Sequence, residues 1–279
     1  MPYFNEEHII TDQFFAHYGM LEIYVHIVTS GILFAVSLLC AAFLYQSFRK
    51  SGVEWPGLVH GFLYTGFIGF GEFVEHIFRW DPFMNTSLHY LHYFAAPAAM
   101  IFLYLGVNEY YDRCSHPNEE LHTISNEVAM GMFAAVLTLA IAMGGIAETP
   151  WDQRVEGPIL ILTIIPLLAI TAIFINTARK IRKSMLAFYF PALGVSLSLL
   201  AIDIWLGRLG DVNSLASIYI VAHSLQSVLH AATATIMVLF VLAIKEGIRE
   251  DILYLCEVTE KSVPRKKKVR KRDFDLTEQ

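Results

Sequence analysis

The residues between 71 and 94 read GEFVEHIFRWDPFMNTSLHYLHYF, bringing Glu72, Glu75, His76, His89 and His92 into one short stretch of otherwise apolar chain. Carboxylates and imidazoles are ligands for zinc, copper and iron, and a bound cation would neutralise acids that burial otherwise penalises. At about 100° per helical residue, Glu72 and His76 lie about 40° apart and His89 and His92 about 60° apart, so each pair can aim at a common point. The expected metal ligands are therefore Glu72, His76, His89 and His92. His26 and His223 are available to complete or orient the shell.

With copper or iron this set would do redox or oxygen-dependent chemistry, the preferred expectation. With zinc it would polarise a water, with Glu75 as general base. A b-type haem is a further alternative, held by His92 with His223 or His26 on facing helices. A fourth is a proton-coupled carrier of small solutes. It would use the stripe VAHSLQSVLHAAT, in which His223, Gln226, Ser227 and His230 share one helical face, together with Asp203 as pathway or supporting residue. Neither HExxH nor paired Glu-x-x-His sequences occur, so no standard signature decides among these.

One resemblance bears on the choice. Glu72, His76 and His89 form an acid, a histidine four residues on and a histidine about a dozen further, and LHYLHYF follows. This pattern resembles the copper-binding helix pair in the membrane C subunit of particulate methane and ammonia monooxygenases. The resemblance covers residues 71–94 and implies copper at these side chains.

The elements that must position such groups follow from composition. Of the 279 residues, 55% are apolar and 16% charged, with a mean hydropathy of +0.49, which points to a membrane protein rather than a soluble domain. Apolar runs long enough to cross roughly 30 Å of hydrocarbon occur at about 22–46, 57–78, 88–111, 124–147, 157–178, 186–207 and 216–245. The expected fold is all-α: a polytopic bundle of seven transmembrane helices over residues 1–247, followed by a basic cytoplasmic tail, 248–279. Once these spans are drawn, seventeen Lys and Arg residues fall on one side and only Arg79, Arg154 and Arg208 on the other. The positive-inside rule then places the N-terminus outside and the tail in the cytoplasm of a cell-membrane, multi-pass protein.

Lipid is the expected surrounding partner. Other membrane subunits are compatible with such a bundle, and no nucleic-acid partner is expected. The N-terminal segment lacks the basic start and cleavage site of a signal peptide. Cys40, Cys114 and Cys256 have no metal-finger spacing and read as free thiols. The seventh span has no interior lysine, which leaves retinal without an anchor.

In this topology His26, Glu72, Glu75, His76, His89, His92, Asp203 and His223 share a depth near the outer surface. His60 lies near the cytoplasmic end of the second span, about 160° from His76, and is excluded from the cluster. Gly61, Gly66, Gly69 and Gly71 on that span read as packing devices.

Overall fold

A computed structural model describes residues 13–51, 55–78, 80–115, 125–147 and 216–250, with scattered positions between 158 and 202. Among the described residues all regular structure is helical. The long helices are α1 (Gln13–Ser51), α2 (Pro56–Ile77), α3 (Pro82–Ser115), α4 (Asn126–Ile146) and α5 (Ala216–Glu250). Four of them hold segments long and apolar enough to cross a membrane: Ile23–Arg49, Pro82–Glu109, Glu127–Ile146 and Ser224–Lys245. Most of the two spans expected at 157–178 and 186–207, all of Asp203 and the basic tail lie outside the described residues.

Helix α2 sits in the middle. It packs on α1 along one side and on α3 along another, while α5 packs on α1 and α4 on α3. Small residues permit this. A Cβ on Gly69 would lie 2.6 Å from the Ser30 carbonyl and 2.8 Å from the Phe34 amide of α1, so the two backbones meet where only glycine fits. Phe62 of α2 meets Phe240 of α5 with ring centroids 5.7 Å apart, and Ser37 of α1 contacts the Met237 sulfur of α5 at 3.5 Å. The resulting core runs through Leu33, Leu44, Phe62, Ile68, Phe102 and Phe240, all essentially inaccessible.

The outward faces are as apolar as the core. Helix α4 exposes Val128, Met130, Leu137, Leu139, Ile141 and Ile146, a surface that water would penalise and hydrocarbon would accept.

Helix starts are specified locally. Asp81 accepts a hydrogen bond from the Met84 amide at 3.1 Å, and Pro82 occupies the first helical position, where a missing N–H is harmless. Helix α3 therefore begins six residues before the apolar run expected at 88. His89 and His92 lie roughly two and three turns inside it instead of in its first turn. Ser125 caps α4 by accepting from Val128 at 3.3 Å. Helix α2 starts at Pro56 without a cap from its own side chains, and the buried Glu109 of α3 accepts from the Gly57 amide at 3.0 Å instead.

Candidate metal centre

Near the C-terminal end of α2, Glu72 and Glu75 are three residues apart and so point about 60° away from one another around the helix. That separation sends them to different neighbours. Glu72 faces α1 and α5, whereas Glu75 faces α3.

Around Glu72 the groups come from three helices. His230 of α5 places Nε2 2.6 Å from Glu72 Oε2, and His26 of α1 places Nε2 3.6 Å from the same oxygen. Gln226, one turn before His230, donates to Glu72 Oε1 at 2.7 Å. Ser227 lies 3.5 Å from His26 Nδ1. The His26 ring meets those of His76 and His230 at centroid distances of 5.0 and 5.3 Å. Glu72, His26 and His230 are 2%, 2% and 0% exposed, so no bulk water shares the burden of the carboxylate.

Around Glu75 the partners come from α3 alone. His89 Nδ1 is 3.0 Å from Glu75 Oε1, and His92 Nδ1 is 3.8 Å from Oε2. Gly71 lets α3 come this close: a Cβ there would lie 3.0 Å from the Leu88 carbonyl and 3.3 Å from His92. The Tyr93 ring packs edge-on against both imidazoles, at 4.8 Å from His89 and 4.6 Å from His92, and Tyr90 lies edge-on to His89 at 5.6 Å. The Glu75 side chain keeps 13% of its exposure, so this trio is the more accessible of the two.

The donor atoms fall into two groups, His26–Glu72–His230 and Glu75–His89–His92, with all atoms of each group within 4.8 Å of one another. Two imidazoles and one carboxylate form a donor set that zinc, copper and iron all accept. The fit is supported by the burial and convergence of the donors. His230 Nε2, Glu72 Oε2 and His92 Nδ1 are fully buried, and His230 Nε2 pairs with Glu72 Oε2 at 2.6 Å.

Of the expected ligands, Glu72 falls in one group and His89 and His92 in the other, while His76 belongs to neither. Glu72 is joined by His26 and His230, and His89 and His92 by Glu75. His76 is half-buried and stacks edge-on against His26. Gln226 orients Glu72, and His230, read from sequence as a supporting residue, is in direct contact with that carboxylate. His223 lies on α5 with its side chain outside the described residues, as does Asp203 altogether. His60 contacts Phe102 at 5.4 Å. Tyr90 and Tyr93 escape a search for titrating or ligating residues, although the alternation of His and Tyr in HYLHY places them beside the imidazoles.

One turn beyond His230, Thr233 is fully buried and shares a short hydroxyl contact with Ser196. Thr171 and Ser198 pair at 2.6 Å, so the polar face of α5 adjoins further hydroxyls inside the bundle. Compared with known proteins, the chain matches no family model, no curated protein and no solved structure.

Proposed function

We propose that this chain is a seven-helix integral membrane metalloprotein of the cell membrane, with its N-terminus outside and its basic tail, 248–279, in the cytoplasm. Its His/Glu centre lies in the outer leaflet and serves redox or oxygen-dependent chemistry with copper or iron. The observation that carries this reading is the Glu72 carboxylate, buried among apolar helices with imidazoles from α1 and α5 against one oxygen and the Gln226 amide against the other. An isolated carboxylate in such a place costs several kcal/mol, which a bound cation offsets.

When bound, copper or iron would supply one-electron chemistry and a site for a small oxidant. The chain's own groups do the rest. Gln226 fixes the Glu72 plane, Ser227 sets the His26 ring, and Tyr93 wedges His89 and His92 into a fixed mutual orientation. Glu75, the least buried ligand, is the group placed to exchange a proton with the outer surface. The resemblance at residues 71–94 favours copper. The haem alternative finds less support, because His26 packs directly on His76 and His230 and leaves no flat slot beside it.

The test is metal analysis with an absorption spectrum on detergent-purified protein, before and after loading with copper, iron or zinc. At least one copper or iron per chain is expected. It should be lost in the variant carrying His26→Ala, His230→Ala, His89→Ala and His92→Ala, and retained in His60→Ala. Failure to hold any of the three metals would overturn the proposal, and zinc alone would move it to hydrolysis.

A further inference from the structure

We infer that the centre holds two metal ions of unequal lability, one between His26, Glu72 and His230 and one between Glu75, His89 and His92. This rests on the metalloprotein reading above. The six donors form two trios, each with all its donor atoms within 4.8 Å of one another, and Glu72 and Glu75 each meet their own pair of imidazoles. Each trio also has the composition of a complete three-ligand site, two imidazoles and a carboxylate, with a further position left for water or substrate.

The divergence of Glu72 and Glu75 gives a physical reason for two ions. Facing different helices, the carboxylates cannot both bind one ion through their observed partners, yet Glu72 is within electrostatic reach of Glu75 and of His92. Two acids so near one another in an apolar bundle repel, and one divalent ion at each relieves that repulsion.

The trios differ in access. The Glu72 trio is closed by three helices with every ligand 2% exposed or less, so its ion must wait for helices to part. The Glu75 trio is built on α2 and α3 alone, its carboxylate is 13% exposed, and two tyrosine rings border its imidazoles. The first is the tightly held ion. The second is the exchangeable one, beside groups able to give up an electron and a proton, and is the place for chemistry.

The experiment loads metal-free protein in detergent with Co²⁺ or Cu²⁺, removes unbound metal, counts ions per chain, and then follows release into excess EDTA. Two ions per chain are expected, released in two equal phases at least 10-fold apart in rate. His89→Ala should retain one ion with only the slow phase, and His230→Ala one ion with only the fast phase. A single ion in the wild type, abolished by either substitution, would overturn the two-ion inference and leave the metalloprotein reading intact. Retention of no ion by the wild type would overturn both. The wild-type count and phases decide the matter even where a substituted chain fails to fold.

Discussion

Replacing Gln226 by Leu separates the support of the Glu72 site from its ligands. The side chain is buried and its amide donates to Glu72 Oε1 at 2.7 Å, so the leucine keeps most of the volume and removes one hydrogen bond to a charged acceptor. Loss of such a bond costs about 1.5–3 kcal/mol. Independently, removing a group that orients a metal ligand weakens metal binding about 10–100-fold, or about 1.4–2.7 kcal/mol. The two routes agree. Metal-free protein should melt lower by roughly 3–12 °C, at about 2–4 °C per kcal/mol for a chain of this size. Competition with a chelator of known affinity should show the 10–100-fold loss for the slowly released ion and none for the other. A folded Gln226→Leu protein whose slow-site affinity stays within about threefold of wild type would refute the role given to Glu72.

Other perturbations follow from the same geometry. Glu109→Ala leaves the Gly57 amide of α2 without its buried acceptor, and should cost about 1.5–3 kcal/mol in denaturant or thermal unfolding while leaving the metal count unchanged. Gly69→Ala drives a methyl into the Ser30 carbonyl and the Phe34 amide, costing about 1–3 kcal/mol. Because His26 rides on α1 one turn before Ser30, this variant should also speed release of the slow ion and spare the fast one, as read by EDTA challenge. Asp81→Ala removes the cap of α3 and should lower stability by about 1 kcal/mol, whereas Asp81→Asn should restore it.

Apolar run length identifies helices because lipid admits little else at that depth, and the runs at 57–78, 124–147 and 216–245 correspond closely to described helices, while 22–46 lies inside the longer α1. The start of α3 was also legible, since Asp81 followed by Pro82 is a helix-start signal, but polar Asn85, Thr86 and Ser87 mask it when hydropathy alone draws the boundary. Partnerships were harder. One sequence gives the angle between Glu72 and His76 on their own helix, but not which neighbour stands at that angle. The contacts of Glu72 with His230 and His26 depend on α1 and α5 flanking α2, a long-range fact set by glycines and core packing. His230 read as one member of the polar stripe with Gln226 and Ser227, and nothing on that stripe named Glu72 as its partner.

A metal centre and a salt-bridged polar core differ in how many donors each carboxylate gathers. An imidazolium beside Glu72 would neutralise it through a single charge-assisted bond, and the 2.6 Å contact with His230 Nε2 has the length of one. The His26 imidazole at 3.6 Å from the same oxygen, and the second imidazole at 3.8 Å from Glu75, are additional to such a pair. Both carboxylates meet two imidazoles each, although one protonated ring would satisfy a carboxylate's charge. A cation needs several lone pairs converging on a point beside the donors, and a proton needs only one line between two of them. The groups His26–Glu72–His230 and Glu75–His89–His92 each bring three donors within 4.8 Å of one another, so the metal content of the purified protein separates the two readings.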